Sequence, residues 1–314
     1  MPFRPSHRQL EYVVALAEAG HFGVAARRCH VSQPTLSVQI AQLEQNLGTP
    51  LFDRTPGRIV PTAVGARIVA TARNVLLELD EIVAVAAGGA RNLGGLIRLG
   101  VAPTFGPYFF PALLPALHAR YPGLELYIRE ERPALIEREV MEGRLDCGLG
   151  PLPASGHALT FRRLCRETIF LGVPKDHRFA LGGPLVPVSA LRGERLLTLG
   201  RGHQLFESAR DLAAASGADM REDYEGTSLD ALWQMVLMGM GLSLFPELYA
   251  LSELGEGDDM VLLRLAGWPA RREIGYFWRA SNGRAPQFEQ LARESDATRV
   301  ALGLSDCEPA VPAG

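Results

Sequence analysis

The stretch that most constrains this chain is Ser32 to Leu47, SQPTLSVQIAQLEQNL. Leu36, Ile40, Leu43 and Leu47 recur at intervals of four, three and four, which on a 3.6-residue helix makes one stripe to be buried. Ser32 is suited to cap the start, Pro34 is tolerated in a first turn where its missing N–H is an orphan anyway, and Gly48 supplies the stop. The opposite face is uncharged. In its N-terminal half it offers Gln33, Thr35, Ser37 and Gln39, with Pro34 and Val38 between them. Side chains of these types donate to, accept from or touch the methyl groups of base edges in a DNA major groove. A plain surface helix with a glutamine-rich face has the same composition, so the flanking sequence has to decide.

Upstream, Leu10, Val13, Val14, Leu16 and Ala17 fall at helical spacing, and Gly20-His21-Phe22 breaks the run. A short small-residue helix from Gly23 to Cys29 and a tight His30-Val31-Ser32 turn then lead into the first stretch. Two short helices joined by three residues, the first rich in alanine so that the second packs close, make a helix-turn-helix. After Gly48 the sequence TPLFDRTPGRIVPT holds two short apolar segments around a Pro-Gly turn, a wing that would set Arg54 and Arg58 on phosphates.

From Thr62 the pattern becomes one long helix to about Gly88. Ile68, Ala72, Val75, Leu79, Ile82 and Ala86 alternate spacings of four and three, the a/d seam of a coiled coil. Roughly 27 helical residues span about 40 Å, too long to bury that stripe against the small preceding domain. Ile68, Val75, Leu79 and Ile82 are therefore expected to meet a second chain, the alternative being a helix lying on its own C-terminal domain. Gly88-Gly89 and Gly94-Gly95 read as a hinge.

The segment LEYVVALAEAGHFGVAARRCHVSQPTLSVQIAQLEQNLGTPLFDRT resembles the N-terminal domain of the LysR-type transcriptional regulators. The likeness continues through the chain and is strongest toward the OxyR branch of peroxide regulators, through LEYVVALAE, CHVSQPTLS, PTFGPYFFP, RLDC, GADMREDYEGTSLDAL and RREIGYFWR. The resemblance implies a winged helix-turn-helix at 1–61, a linker and dimerisation helix with hinge at 62–92, and a two-lobed, periplasmic-binding-protein-like α/β effector domain at 93–300. It also implies that REIGYFWR returns to the first lobe with a last helix near 286–300, so that lobe I comprises about 93–167 and 269–300 and lobe II about 168–268. Implied partners are promoter DNA, a small effector, RNA polymerase if the output is activation, and further copies of the chain, as homodimer to homotetramer.

Charge has to be divided before it makes sense of a DNA binder. The net charge of the 314 residues is −3, yet residues 1–61 carry +2, from Arg4, Arg8, Arg27, Arg28, Arg54 and Arg58 against Glu11, Glu18, Glu44 and Asp53. The recognition stretch has no basic residue, so phosphate affinity must come from these arginines and from helix N-termini. The start, MPFRPSHRQL, lacks a signal peptide's apolar core and no run reaches transmembrane length, so a cytoplasmic protein with no membrane partner is expected. Cys29, Cys147, Cys165 and Cys307 show no paired ligand spacing, so neither a metal nor a cofactor is expected.

Beyond the hinge, strand-like and helix-like segments alternate: LIRLGVA, a helix near 106–120, LELYIRE, a helix near 133–142, LDCGLG, then RETIFLGV crossing over. RLLTLG, a helix near 204–216, REDYEG, a helix near 228–239 and LSLFP repeat the scheme, which is that of two doubly wound lobes. The tail, 301–314, is expected to be disordered. Ligands in such folds bind where loops meet helix N-termini at the carboxyl ends of strands. That rule selects Thr104, Arg132, the loop Arg201-Gly202-His203-Gln204, and Thr227-Ser228, a hydroxyl-rich set with two arginines suited to a small anion. The bland alternative is that Thr104 and Ser228 only cap their helices.

The resemblance implies a sensing cysteine directly after the Gly-His of this loop and a resolving cysteine nine residues on; here Gln204 and Ala213 stand there, neither able to form a sulfenic acid or disulfide. Cys29 and Cys147 match cysteines to which the resemblance gives no sensing role. Cys165 lies in RRLCR, a basic setting that would lower its pKa, and makes a redox-responsive regulator the alternative reading. An enzyme would rest only on loose juxtapositions, Cys165 with His177 or Ser228 with Asp230, so no catalytic residue is expected.

Overall fold

In a computed structural model the described residues are 3–55, 58–86, 93–222, 224–253, 259–268 and 271–304. They form two compact units, one essentially up to Ala90 and one from Arg91 on.

In the first unit, α1 (His7–Ala19) starts at a capping box in which Ser6 and Gln9 bond each other's backbone N–H. Helix α2 runs Phe22–Arg28, one residue earlier than the pattern suggests, because Phe22 packs on the core and Cys29 becomes the cap. His30 takes the turn in the left-handed region, φ 54°. Ser32 then caps α3 (Gln33–Leu47), accepting from the Thr35 N–H, and Gly48 ends it at φ 68°. Leu36, Ile40 and Leu43 are buried with Tyr12, Val13, Leu16, Ala25 and Ala26. The wing is an antiparallel hairpin of β1 (Phe52–Thr55) and β2 (Arg58–Pro61).

Helix α4 (Ala63–Ala86) packs on α1, and a Cβ at Gly65 would lie 1.9 Å from the Leu51 carbonyl oxygen, so only glycine permits that approach. The a/d stripe is divided by this packing. Ile68 packs on the unit's own core beside buried Val69, whereas Val75, Leu79 and Ile82 are exposed. The Gly88-Gly89 hinge falls outside the described residues.

The second unit is an α/β structure in which helices alternate with strands. Its strands are β3 (Gly95–Val101), β4 (Leu124–Glu130), β5 (Cys147–Pro151), β6 (Leu159–Pro174), β7 (Leu185–Pro187), β8 (Arg195–Leu197), β9 (Asp219–Arg221), β10 (Leu242–Pro246), β11 (Met260–Ala266) and β12 (Arg271–Arg279). Between them lie α5 (Gly106–Arg120), α6 (Pro133–Met141), α7 (Gln204–Ser216), α8 (Leu229–Leu237), α9 (Glu247–Glu253) and, last, α10 (Ala285–Ala301). The strand path is β4-β3-β5-β12-β6-β10-β8-β9.

Strand β6 is the spine. It pairs antiparallel with β12 over Leu159–Thr168 and with β10 and β11 from Ile169 to Pro174, so one 16-residue strand joins the two halves of the path. The sequence suggests only the second half, RETIFLGV, because charged Arg162 and Arg163 interrupt the apolar alternation. Strands β7 and β11 and helix α9 are not anticipated either, and REDYEG contributes only Arg221 to a three-residue strand that begins at Asp219. Each lobe has its own core: Phe105, Phe109, Tyr276, Trp278 and Phe288 in one, Leu171, Leu212, Val236 and Phe245 in the other.

Candidate nucleic-acid interface and effector site

On α3 the outward residues are not all those the spacing suggests. Gln33, Pro34 and Thr35 are exposed, and so is Val38, at 60%. Ser37 and Gln39 are only half-exposed. The Thr35 hydroxyl lies 2.7 Å from that of Ser32, and the Gln39 amide oxygen accepts from Gln9 Nε2 at 3.4 Å. One turn further, Ala41, Gln42 and Gln45 are exposed, and Gln42 shares the helical phase of Val38 and Thr35, a position the stripe argument does not single out.

Arg54 is held from within. Its Nη2 donates to Glu44 Oε2 at 3.2 Å, and its guanidinium lies 5.7 Å from the Phe22 ring centre. The other Glu44 oxygen accepts from the Leu51 and Phe52 backbone N–H groups, so one glutamate of α3 fixes the wing's first strand and its arginine. Half-exposed, that guanidinium is pre-positioned yet retains open donors. The Arg58 side chain lies outside the described residues.

In the second unit, Thr104 follows β3 and is buried, its Oγ1 accepting from Arg272 Nη1 at 2.7 Å and its carbonyl from Nη2 at 2.9 Å. Arg272 is itself buried and its Nε donates to the fully buried carboxylate of Glu167. These two face each other across β12 and β6, and Glu167 also accepts from the Leu248 N–H at the start of α9. The chain spends a buried ion pair on holding Thr104, and neither Glu167 nor Arg272 is suggested by the sequence.

His203 caps the start of α7 by position only, making no side-chain cap bond, and it is buried with no hydrogen-bond partner at Nε2. Burial first, then the nearby charges of Arg132 and Arg272, push its pKa down to about 4, so the imidazole is neutral at pH 7. The carboxamide oxygen of Gln204 and the hydroxyl of Thr198 are likewise buried without partners. Arg132, after β4, extends over the loop: its Cδ is 3.5 Å from where a Cβ on Gly202 would be, and its Nη2 donates to the Glu225 carbonyl at 3.4 Å. Gly202 tolerates this at φ 90°.

His203 thus lies near both Arg132, which reaches over Gly202, and Arg272, which holds Thr104, and Gln204 follows it in the chain. Arg201, Ser228 and Thr227 are otherwise engaged or turned outward, Ser228 in the capping role given above as its alternative. Arg201 is an exposed side chain bound to Glu222 at 2.9 Å and packed over Phe206, turned to solvent. Ser228 caps α8 by accepting from the Ala231 N–H at 3.2 Å. Thr227 is exposed beside it.

The basic setting of Cys165 does not act on its sulfur. The β6–β12 register slips between Cys165 and Arg163, so Leu164 is an extra bulge residue and both Leu164 and Cys165 are buried in the core. Arg163 and Arg166 go instead to Glu273, and Arg162 to Glu289 and Asp296. Burial, reinforced by Glu167, pushes the Cys165 thiol well up, the opposite of what a reactive thiolate needs. Cys147 is buried, the Cys29 thiol is also raised by burial, and Cys307 lies outside the described residues.

A helix-turn-helix with a wing, followed by a two-lobed α/β domain with unpartnered buried polar groups at the start of α7, is the arrangement of a ligand-responsive DNA-binding regulator. Residues 7–66 match the family described as bacterial regulatory helix-turn-helix protein, lysR family, and residues 90–297 match the LysR substrate binding domain. The chain belongs to the LysR family of transcriptional regulators. It is 38% identical over 285 residues to the DNA-binding transcriptional dual regulator OxyR of Escherichia coli (strain K12), covering 91% of this chain and 93% of that one. Among solved structures it resembles full-length OxyR of Pseudomonas aeruginosa (TM-score 0.82, 31% identity, 98% of this chain and 100% of that one). A hydrogen-peroxide-bound OxyR variant of Corynebacterium glutamicum is also similar (TM-score 0.62, 29% identity, 96% of each chain). Members of this family regulate transcription rather than catalyse reactions; they bind promoter DNA and small effectors and form oligomers. Among the described residues no helix is long and apolar enough to cross a membrane.

Proposed function

We propose that this regulator reads promoter DNA with the exposed start of α3, through Gln33, Pro34, Thr35 and Ser37, with Arg54 and Arg58 on the backbone, and switches when a small anionic effector enters the cleft. Residues 1–61 read DNA, 62–92 pair two chains through Val75, Leu79 and Ile82, and 93–300 sense. The working form is a homotetramer in the cytoplasm that contacts RNA polymerase where it activates.

The observation that carries the effector reading is the buried, partnerless Nε2 of His203 beside two arginines. A neutral imidazole beside Arg132, at a helix start without a side-chain cap, favours an incoming carboxylate that supplies the missing partner. The relatives' names suggest hydrogen peroxide as the signal. With Gln204 and Ala213 at the two positions of that chemistry, and Cys165 and Cys147 buried, we read the switch here as binding without oxidation.

Native mass spectrometry of freshly purified protein, followed by thermal shift with mono- and dicarboxylates, tests this. A carboxylate at a hundred times its Kd should stabilise the effector unit by about 2.7 kcal/mol, and His203→Ala should remove the shift. Stabilisation by neutral or cationic compounds alone would refute the anionic reading.

A further inference from the structure

We propose that Val38 sets part of the operator sequence by packing against a thymine 5-methyl group, an apolar contact that adds to the discrimination of the polar side chains of α3. The inference rests on α3 being the DNA-reading helix. Among the residues expected to reach bases, Thr35 has its hydroxyl on Ser32, Gln39 has its amide oxygen on Gln9, and Ser37 is half-buried. The Gln33 amide oxygen lies 3.3 Å from where a Cβ on Gly23 would be, so even this side chain rests against α2. α3 contains no lysine or arginine, the side chains that form the commonest bidentate contact to guanine.

Val38 differs from all of these. It is 60% exposed, whereas Leu36, Ile40 and Leu43 on the same helix are essentially buried, and it stands between exposed Pro34 and exposed Ala41 and Gln42. A β-branched side chain has one strongly preferred χ1 rotamer in a helix, so it loses little freedom on contact. In the major groove the feature it can recognise is the methyl of thymine, the apolar group among the base edges there.

The test uses full-length protein and the operator selected from random duplexes. Each thymine is replaced in turn by deoxyuridine, which keeps every hydrogen-bonding group and removes only the methyl. Wild-type protein should lose affinity about fourfold per methyl at one thymine in each half-site, and on the order of tenfold or more with both replaced. Val38→Ala and Val38→Gly should bind the natural operator more weakly by a similar factor and no longer distinguish thymine from uracil, with melting temperatures confirming that the fold is kept. If wild-type protein prefers the operator over random duplex but is indifferent to uracil at every position, or if Val38→Ala keeps the full discrimination, Val38 has no such role. If wild-type protein shows no operator preference, the assignment of α3 as the reading helix itself falls.

Discussion

The DNA-reading unit and the effector cleft are built on opposite principles. In the first, everything that places α3 lies within a few dozen residues: a serine cap, a left-handed glycine stop, a short turn, and a glutamate that ties the wing to the helix. In the second, the group that holds Thr104 comes from β6 and β12, 105 positions apart in sequence, and meets only because two antiparallel strands pair in one register. A locally written site survives changes elsewhere in the chain. A site assembled by strand pairing depends on a buried charge pair, and should fail as a whole when that pair is broken.

The largest expected effect lies where the first unit needs a second copy of itself. Leu79→Glu with Ile82→Glu places charge in the exposed apolar seam, and the species should have half the mass by light scattering. Loss of the second recognition helix should lower operator affinity by on the order of 10²- to 10⁴-fold. An unchanged mass would mean that the seam does not hold the dimer.

The cleft should prove the more brittle side. Glu167→Gln leaves the buried guanidinium of Arg272 without its counter-charge and should destabilise the effector unit by about 3 to 5 kcal/mol in urea melts followed by tryptophan fluorescence, all three tryptophans lying in that unit. Binding of the isolated half-site by residues 1–61 does not involve this pair. A variant as stable as wild type would show that the pair is not what orders the cleft.

A pH series sharpens the same contrast. The folded-state pKa of His203 is pushed from 6.5 down to about 4, so between these values the unfolded chain binds a proton that the folded one refuses. The stability contribution is complete above about pH 6.5 and is lost as pH falls toward 4, by on the order of 3 kcal/mol. His203→Gln should flatten that slope in chemical denaturation at pH 4.5, 5.5 and 7. An unaltered slope would mean that another group titrates there.

The smallest effect belongs to a single local reader. Gln33→Ala should cost about 1 to 3 kcal/mol on the selected operator and much less on random duplex, without altering the salt dependence. An equal loss on both duplexes would make Gln33 a general contact rather than a base reader.

This difference in construction also explains what the sequence reveals. The limits of α3 follow from its stripe, its serine cap and its glycine stop, and the end of α7 from Gly217, all short-range signals; the structure places α3, α5 and α7 within a residue or so of the expected positions. Glu167 and Arg272 stay hidden because charged residues in strands read as surface until the register shows them facing each other in the core. Cys165 misleads for a related reason: the RRLCR run looks like a basic nest, but a one-residue bulge turns the sulfur inward and leaves the guanidiniums on Glu273, Glu289 and Asp296. Arg201 looks like an anion ligand until Glu222, 21 positions away, takes it.

The most direct test of the proposed switch is a promoter footprint of the full-length protein, taken with a stabilising carboxylate and, separately, with hydrogen peroxide. The carboxylate should change the footprint in wild type but not in His203→Ala, while peroxide should leave it as it was. A footprint change on adding peroxide that disappears in Cys165→Ser would contradict ligand binding as the signal and establish a relocated redox switch.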